Sequence, residues 1–506
     1  MLLAHIAEAS ADVAASSARL EKVARLAECL RQARPDDVEI VVAFLSGEPR
    51  QRQIGVGYAA FRDVPGAAAA ATLTVREVDE AFARMESLSG PGSQRQRRQQ
   101  LTDLLGRATG AEQGFLIPLM VGELRQGALD AVMVEAVARA ADVRADAVRQ
   151  AVMLRGALGP VAQAVLRHGA AGLAAFRLEV GRPLRPMLAQ SADTIDAAFE
   201  RICPAAVEWK LDGVRMQVHR DGSDVRVFSR SLDDITARVP EVAEAALALP
   251  VRAIVLDGEV LALGDDGRPY PFQVTSGRVS NRRDVEAVRT SHPLTPFVFD
   301  ILHADGDDLL GRPGRERYAV LARFAPDGLR TPRVVTDDAE DARDFFRDAT
   351  AREHEGVVVK SLDTPYVAGR RGAGWIKVKP RHTLDLVVLA AEWGHGRRRG
   401  WLSNVHLGTR DESGGHVMLG KTFKGMTDAM LAWQTERLLA LEVSRDSWIV
   451  YVRPELVVEV AFDGVQTSPR YPGGLALRFA RVLRYREDKR PDEADTIDTV
   501  RAISGG

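Results

Sequence analysis

The chain has 506 residues, a formal net charge of -2, 46% hydrophobic residues and 27% charged residues. This length predicts two to four domains, and the composition is typical of soluble globular proteins. The near-zero net charge excludes a chain that is basic throughout, so binding of nucleic acid would need local basic surfaces.

Two further features of the chain bear on its compartment. The two cysteines, Cys29 and Cys203, are too few for a four-cysteine zinc site or a disulfide framework, so the cytosol is the expected compartment. Met1 to His5 lack a basic stretch followed by a long apolar run, and we expect no signal peptide. No apolar run reaches the roughly 18 residues of a membrane-spanning helix, so we expect no contact with a membrane.

Residues 1–180 are predicted to be helical. Apolar residues recur there at helical spacing, for example at Leu26 and Leu30. Thr74 and Thr109 are each followed three residues later by a glutamate, which fits a capping box at the start of a helix.

A linker and a run of short strands follow. Gly181 to Pro186 contains two prolines, which resist helix formation. Beyond it, β-type runs dominate as far as Pro380, and Asp221-Gly222 predicts a hairpin turn. The predicted strands lie at residues 225–228, 253–263, 297–302, 357–360 and 376–379.

The last block, residues 381–506, is again strand-rich, for example at 384–389 and 456–462. It has roughly the length of a small β-barrel. We expect residues 491–506 to form a trailing turn and tail. The sequence therefore predicts three domains, at residues 1–180, 181–380 and 381–506.

The motif with the most chemical content is the K-x-D-G-x-R hexapeptide from Lys210 to Arg215, preceded by Glu208. It offers a nucleophilic amine at Lys210, a carboxylate at Asp212, a tight turn, and a cation at Arg215 that could meet phosphate or ribose. If the run is extended, Lys210 and Asp212 point to the same side, because side chains in a strand alternate between faces.

Two more predicted strands carry paired charges on one face. Asp257 and Glu259 form one pair, and Lys377 and Lys379 form the other. Any single pair could be a solvated strand face, but apolar neighbours predict partial burial, and buried charges need partners of opposite sign. A site that gathers these lysines and carboxylates would supply those partners.

Further residues fit such a site less specifically. Glu355 and Lys360 lie at the two ends of one predicted strand. Phe299 lies in an apolar run, where it could pack in a core or offer a face for stacking a base. Arg230 follows a strand. The basic run at residues 478–489 could be a solvated face or could clamp a polyphosphate through its arginines.

The order of these motifs resembles the covalent nucleotidyltransferase superfamily and, within it, the ATP-dependent DNA ligases. Ala480 departs from the family pattern, since family members often carry proline there. Residues 92–105 and 112–127 are similar to the helical DNA-binding domain of the family. The matching motifs are Pro186 to Ala189, Lys210 to Arg215, Phe228 to Arg230, Asp257 to Glu259, Phe299, Glu355 to Lys360, Trp375 to Lys379 and Arg478 to Lys489.

The resemblance implies a multi-domain fold and an activity. The fold is an all-α N-terminal DNA-binding domain, an α+β nucleotidyltransferase (adenylation) domain with antiparallel sheets, and a C-terminal OB-fold β-barrel. The enzyme would use ATP and Mg²⁺ or Mn²⁺. Lys210 would attack the α-phosphate and expel pyrophosphate, and AMP would pass to a DNA 5′-phosphate. The 3′-hydroxyl would then displace AMP and seal the nick.

The resemblance also implies roles for individual residues. Lys210 would be the nucleophile, and Lys377 and Lys379 would grip the α-phosphate. Neighbouring cations disfavour a charged amine, and Lys360, Lys377 and Lys379 would act on Lys210 in this way if they converge on it. Glu208 and Phe299 would contact adenine, and Arg215 and Glu259 would contact ribose. Elsewhere on the nucleotide, the implied contacts are Asp212, Lys360, Arg230 and Arg371. Glu355 and Glu259 would bind the metal, and pyrophosphate would be contacted by Arg484, Arg486, Asp488 and Lys489.

The implied partner is nicked double-stranded DNA, bound by a monomer mainly through its backbone, since a nick-sealing enzyme must ignore base sequence. Arg95, Arg97 and Arg98 are the candidate contacts in the N-terminal block, and residues 397–399 are those of the barrel; the alternative for both is a solubilising surface. Such an enzyme would serve DNA replication, repair or recombination in the cytoplasm, at the nucleoid during repair.

Other functions remain open from the sequence. RNA ligases and mRNA-capping guanylyltransferases share the lysine motif, whereas the helical N-terminal block and the Arg-Glu-Asp-Lys run at 486–489 favour a DNA ligase. NAD-dependent DNA ligases usually carry a cysteine zinc module, which two cysteines cannot supply. A DNA-end-binding scaffold without catalysis is opposed by the presence of every charged position of the motifs.

Overall fold

The computed structural model describes residues 1–51, 54–124, 130–283, 285–367, 371–380 and 382–503. Within these ranges the chain forms a helical block, a middle region with two five-stranded sheets, and a strand-rich C-terminal region. None of the described helices is both long enough and apolar enough to cross a lipid bilayer.

Helices build the N-terminal block, as predicted. Both predicted capping boxes are present: Thr74 and Thr109 accept a hydrogen bond from the backbone of the glutamate three residues on, whose side chain bonds back. A single apolar core runs from Leu3 to Val165. The helices are α1 (Leu3–Ala15), α2 (Arg19–Gln32), α3 (Val38–Leu45), α4 (Val75–Ser87), α5 (Ser93–Gly106), α6 (Gly110–Met120), α7 (Asp130–Ala140), α8 (Ala145–Arg155), α9 (Leu158–His168) and α10 (Ala170–Leu173).

The predicted linker has no regular structure, and the first strand begins at Leu188. The strands of the middle region are β1 (Leu188–Ala192), β2 (Ala205–Trp209), β3 (Val214–Asp221), β4 (Asp224–Ser229), β5 (Ala253–Ala262), β6 (Leu294–Ala304), β7 (Asp307–Asp308), β8 (Arg333–Thr336), β9 (Val357–Ser361) and β10 (Arg371–Val378). Its helices are α11 (Ile195–Phe199), α12 (Pro240–Leu247), α13 (Phe272–Ser280), α14 (Val285–Ser291), α15 (Gly314–Phe324) and α16 (Ala339–Ala351).

The two sheets of the middle region are joined directly by the segment between β2 and β3. One sheet has the order β1-β10-β9-β2-β8 and the other the order β4-β3-β5-β6-β7. All neighbouring strands are antiparallel except β1 and β10. The predicted hairpin at Asp221-Gly222 joins β3 to β4. The residues between β2 and β3 therefore lie where the two sheets meet.

The C-terminal region is strand-rich around its own apolar core. Its long first strand, β11, pairs β12 along one edge and β15 and then β16 along the other, as a strand in a strongly curled sheet does. The elements are β11 (His382–Trp393), β12 (Leu402–Arg410), β13 (His416–Thr422), α17 (Asp428–Ala440), β14 (Glu442–Arg445), β15 (Ile449–Val452), β16 (Val457–Phe462), β17 (Gly464–Thr467), β18 (Leu475–Arg478), β19 (Arg481–Tyr485) and α18 (Ile497–Ile503).

The predicted fold class is confirmed: a helical N-terminal part, a middle part of helices and antiparallel sheets, and a strand-rich C-terminal part. One expectation at the C-terminus is wrong. Residues 491–503 are not a trailing tail, because α18 buries Ile497 and Val500 in the C-terminal core.

Candidate active site

Lys210 lies in the segment that connects the two sheets of the middle region. Its N–H donates to Gly356 O at 2.8 Å, and its carbonyl accepts from Glu355 N–H at 2.9 Å. Gly356 has a φ of 127°, and a Cβ atom there would lie 2.3 Å from Val378 O. Glycine is therefore needed for the Glu355 segment to reach both Lys210 and β10.

This geometry corrects the expectation of an extended run from Lys210 to Asp212. The strand β2 ends at Trp209, and β3 begins only at Val214. Because Lys210 bonds to the 355–356 segment instead of a neighbouring strand, Asp212 does not share a strand face with it. Asp212 faces the C-terminal region and pairs with Arg478 at 2.9 Å.

A compact cluster of charged side chains surrounds the Lys210 amine. Glu355 forms ion pairs with both Lys210 and Lys379, one through each carboxylate oxygen. Lys377 and Glu259 lie close enough to Lys210 for direct electrostatic interaction. The structure thus brings together Lys210, Glu259, Glu355, Lys377 and Lys379, which come from four separate parts of the chain.

Burial and pairing set the charges in this cluster. Burial opposes ionisation of Glu355, but Lys210 and Lys379 outweigh it and lower the pKa of that carboxyl. Burial also lowers the pKa of Lys377, and Lys379 and Lys210 add to this effect. The pKa of Lys379 is raised, since Glu355 and Asp463 outweigh its burial. Burial raises the pKa of Glu259 to about 7, against the opposing effect of Lys210 and Arg215.

Arg215 is held beside this cluster by a bidentate ion pair. Its guanidinium donates to both oxygens of Asp257, at 2.8 and 2.6 Å, and lies 4.9 Å from the ring centre of Phe299. Burial works against the charge of Arg215, but Asp257 raises its pKa. Arg215 therefore stays a fixed cation between the Lys210 cluster and the aromatic residues.

Glu208 and Lys360 form a second charged pair, next to Phe299. Glu208 is only 2% exposed and pairs with Lys360 and, at 3.4 Å, with Arg333. The ammonium of Lys360 lies 4.5 Å from the ring centre of Phe299 and 4.3 Å from that of Trp375. Phe299 therefore faces charged groups and is not simple core packing.

The expectation that Lys360 converges on Lys210 is wrong. Lys360 on β9 lies diagonally across from Glu208 on β2, because Val358 is the direct partner of Glu208 in the register. Diagonal neighbours on one face reach each other through long side chains. Lys360 therefore forms an ion pair with the Glu208 carboxylate, and Lys377 is the lysine that lies beside Lys210. Burial lowers the pKa of Lys360 in spite of Glu208.

The C-terminal region contacts the cluster through Asp463, and its strands β17 and β18 contact other residues of the middle region. Asp463 accepts from Lys379 at 3.0 Å, Arg478 pairs with Asp212, and the Thr467 backbone accepts from Gln273. The part of the basic run that was predicted to meet pyrophosphate, at residues 484–489, lies elsewhere. Its partners are within the C-terminal region: Arg484 pairs with Glu459, Arg486 with Asp385 and Asp488, and Lys489 with Asp385.

Arg230 is also not brought to the cluster. It is exposed and lines a cleft of about 1290 Å³ between the N-terminal helices and residues 185–188 and 230–232. Within the described part of the chain, Arg230 makes no hydrogen bond or ion pair with Lys210. The side chains of Arg371 and Arg397 lie outside the described part of the chain.

The candidate DNA-contacting arginines differ in their surroundings. Arg95 and Arg98 are exposed on α5. Arg97 instead donates to Met85 O and Leu88 O at 3.1 and 2.8 Å, so it caps the end of α4. In the C-terminal region, Arg399 is exposed and Arg398 donates to Phe423 O.

Some residues of the site had no recognisable signal in the sequence. Arg333, Tyr366 and Asp463 contact Glu208, Asp257 and Lys379, respectively. Each pair is separated by more than eighty residues, and none of the three lies in a motif. Long-range pairing of this kind cannot be derived from local spacing.

The acidic side chains at the site fit Mg²⁺ or a similar ion. Among the described residues, no group of three or more His, Cys, Asp or Glu side chains could hold a metal. Glu355 and Glu259 nevertheless lie beside Lys210. Mg²⁺ is usually bound by one or two carboxylates together with water and phosphate oxygens, so this pair suits it.

Three family models match the chain. "DNA ligase N terminus" matches residues 58–138, "ATP dependent DNA ligase domain" matches residues 186–379, and "ATP dependent DNA ligase C terminal region" matches residues 398–489. The middle match contains Lys210 and the other members of its cluster.

Solved structures of similar proteins share the fold. A structure described as Pmar-Lig_PreS3 has a TM-score of 0.64 at 18% identity, covering 95% of this chain and 99% of that one. A structure described as Pmar-Lig_Pre has a TM-score of 0.65 at 17% identity, with the same coverage of both chains. At this level of identity the similarity concerns the fold alone.

Curated relatives are similar over the whole chain. A "Probable DNA ligase" of Anaeromyxobacter dehalogenans (strain 2CP-C) is 60% identical over 513 residues, covering 100% of both chains. A "Probable DNA ligase" of Beutenbergia cavernae is 59% identical with the same coverage, and one of Mycolicibacterium gilvum is 59% identical over 99% of both. With identity at this level over the full length, and family models matching all three regions, the chain belongs to the ATP-dependent DNA ligase family and is a ligase enzyme.

Proposed function

We propose that this protein seals nicks in double-stranded DNA by passing AMP from ATP through Lys210 to the DNA 5′-phosphate. The observation that carries the proposal is the Lys210 cluster itself, in which a lysine amine meets two carboxylates and two further lysines. The 3′-hydroxyl of the nick would then attack the activated phosphate and release AMP.

The cluster supplies what the first step needs. Attack requires an uncharged amine, and Lys377 is a second lysine close enough to Lys210 for direct electrostatic interaction. Lys377 and Lys379 place positive charge where the oxygens of the α-phosphate would lie. Because these groups are already fixed by β10 and Glu355, little reorganisation is needed when charge develops on the phosphate.

The nucleotide would extend from Lys210 towards Phe299. Glu208 and Phe299 would contact adenine, with Lys360 holding Glu208, while Arg215 and Glu259 would contact ribose. Asp212 closes the site on the side of the C-terminal region. Arg230 and Arg371 are assigned to phosphate contacts through family resemblance alone.

Glu355 and Glu259 would hold Mg²⁺ or Mn²⁺, which neutralises charge on phosphate oxygens when it is bound. Arg484, Arg486, Asp488 and Lys489 would orient pyrophosphate only after the C-terminal region has moved, since their present partners lie within that region. The proposal therefore includes a swing of the C-terminal region between nucleotide and DNA steps.

The domain limits, oligomeric state and compartment are part of the proposal. Separate apolar cores in the N-terminal and C-terminal regions support domains at residues 1–180, 181–380 and 381–506. We propose a cytoplasmic monomer that acts on nicked duplex DNA during replication, repair or recombination, and is associated with the nucleoid during repair.

Intact-mass analysis tests the covalent step. Purified protein is incubated with ATP and Mg²⁺, with Lys210→Ala and Lys22→Ala run in parallel. Lys22 lies on α2, far along the chain from the site, so its variant controls for the loss of any lysine. We expect one added adenylyl group in the wild type and in Lys22→Ala, none in Lys210→Ala, and none when EDTA is present.

Substrate panels test the rest of the proposal. Nicked DNA should be sealed in preference to nicked RNA, and ATP should support the reaction where GTP or NAD does not. Adenylylation of Lys210→Ala would remove that residue as the nucleophile. A wild type that never gains an adenylyl group would favour a non-catalytic DNA-binding protein.

A further inference from the structure

A buried hydroxyl group lies behind the Arg215–Asp257 pair. Tyr366, in the connection between β9 and β10, is 2% exposed, and Asp257 is 1% exposed. The hydroxyl of Tyr366 donates to Asp257 Oδ2 at 2.7 Å and accepts from Met187 N–H at 2.9 Å. The hydroxyl therefore donates one hydrogen bond and accepts another, both within the protein.

The same groups form a closed ring of contacts with Arg215. Asp257 Oδ2 accepts from Arg215 Nη2 at 2.6 Å as well as from Tyr366. Arg215 Nη2 also donates to the Met187 carbonyl at 3.1 Å. Tyr366 thus fixes the plane of the Asp257 carboxylate and the Met187 backbone, which are the two anchors of the guanidinium.

Tyr366 is itself held from the opposite side. Its N–H donates to Leu310 O at 2.9 Å. Arg317, which makes a bidentate pair with Asp300, donates to Thr364 O at 3.1 Å and lies 5.9 Å from the Tyr366 ring centre. The hydroxyl is therefore presented from a rigid segment, and a tightly held second partner can fix a functional side chain within small tolerances.

We infer that Tyr366 is a positioning residue for the adenylylation step, which fixes the Arg215 guanidinium through Asp257 and Met187 without touching the nucleotide. The inference rests on the proposed function, because it assumes that Arg215 contacts the nucleotide while Lys210 attacks. Arg215 lies between Phe299 and the Lys210 cluster, so a shift of its guanidinium would displace the bound ribose from the line of attack.

The alternative is that Tyr366 only stabilises the fold. A suitable control is Thr336 on β8, whose hydroxyl also donates to a carboxylate, Asp341 at 2.9 Å, and accepts a backbone N–H, that of Asp338 at 3.0 Å. Thr336 is 8% exposed and touches none of the residues of the Lys210 cluster described above. Thr336→Val therefore removes a similar hydroxyl without acting on Arg215.

A double-mutant cycle separates the two explanations. The rate at which Lys210 gains AMP is measured in a single turnover at subsaturating ATP for wild type, Tyr366→Phe, Arg215→Lys and the double variant. Removing a hydrogen bond to a buried charged group should slow Tyr366→Phe about tenfold. In the Arg215→Lys background, the same change should alter the rate by no more than about twofold.

The Thr336→Val control is measured in the same adenylylation assay, which also gives the results that would contradict a positioning role of Tyr366. Thr336→Val should lower the melting temperature while its adenylylation rate stays within about twofold of wild type. All rates are compared at a temperature at which calorimetry shows every variant folded. The inference would be overturned if Tyr366→Phe slowed adenylylation equally in the wild-type and Arg215→Lys backgrounds, or did not slow it at all. It would also be overturned if Thr336→Val slowed adenylylation as much as Tyr366→Phe does. A wild type that gains no AMP would instead contradict the proposed function.

Discussion

Buried titratable side chains in this protein differ in whether a partner balances their charge. Glu355 has two lysines as partners and stays ionised, whereas Glu259 has weaker ones and a pKa raised to about 7. His219 on β3 is a buried ring, and among the described residues no acidic side chain pairs with it. Its Nδ1 accepts from Gly181 N–H at 3.1 Å and its Nε2 contacts Gln217 Oε1 at 2.8 Å.

His219 should make the stability of the protein depend on pH. Burial, with a contribution from His303, lowers its pKa to about 3. Between the ordinary histidine pKa of about 6.5 and this value, the unfolded chain binds a proton that the folded chain does not, so stability falls as the pH falls. We expect wild type to lose ~2 kcal/mol more than His219→Gln between pH 7 and pH 5.

Denaturant unfolding of both proteins at the two pH values measures this difference. His354, whose pKa burial lowers to about 4, is present in both proteins, so its effect cancels in the comparison. An equal loss of stability in wild type and variant would mean that His219 does not titrate with unfolding in this range.

At the residue scale, the sequence predicted site residues where a motif contained several charged side chains. Lys210, Glu355 and Lys379 could be grouped because each lies in its own motif, and the structure brings them into direct contact. Tyr366 could not be predicted, since its partners Asp257 and Met187 are 109 and 179 residues away. Only the folded arrangement of three segments reveals these contacts.

At the scale of elements, strand patterns were predicted better than the points where strands end. The predicted strand at 253–263 corresponds to β5 (Ala253–Ala262) almost residue for residue. The run from Lys210 to Asp212 alternates like a strand but leaves the sheet, because Lys210 bonds to the Glu355 segment from another part of the chain. Alternation alone does not indicate where hydrogen bonding to a neighbouring strand stops.

Helix α5 gives a prediction about DNA binding at the same scale. Arg95 and Arg98 are exposed, whereas Arg97 is tied to the carbonyl groups at the end of α4. If this face meets the DNA backbone, replacing both exposed arginines by alanine should weaken binding to nicked duplex and lower the slope of affinity against salt by about 0.9 per lost phosphate contact.

Arg97→Ala provides the matched comparison for this helix. It should lower the melting temperature, because two carbonyl groups at the end of α4 lose their donor, while the salt slope changes little. Binding is measured by fluorescence anisotropy over a range of salt concentrations. An unchanged slope in the double variant would show that this face of α5 does not contact phosphates.

At the scale of the whole molecule, the regions meet around the middle sheets. Met153 and Leu154 of α8 share a buried cluster with Met187, Tyr366 and Trp375, so the helical block packs directly behind the Arg215 anchor. On the other side, the C-terminal region reaches the Lys210 cluster through polar and charged contacts. These ion pairs are only partly buried, so salt should weaken them, which suits a region that must move.

The Asp212–Arg478 pair should help to hold this closed arrangement. Arg478→Asp places two carboxylates together where an ion pair stood, and the double variant Asp212→Arg/Arg478→Asp restores opposite charges. We expect the single variant to have a larger radius of gyration in small-angle X-ray scattering without nucleotide, and the double variant to return towards the wild-type value. The expansion should appear in the wild type as well when salt is raised.

Arg453→Asp is the control for the change in net charge. Arg453 pairs with Glu455 inside the C-terminal region, at 2.7 Å, so reversing its charge should leave the radius of gyration unchanged. If Arg478→Asp has the same radius as the wild type at low salt, the contacts of Asp463 and Thr467 suffice to hold the C-terminal region in place. Release of the region by Arg478→Asp should also allow it to turn, so that the run at 484–489 can approach Lys210. In that case the same variant would gain AMP on Lys210 at least as fast as the wild type, although it seals nicks more slowly.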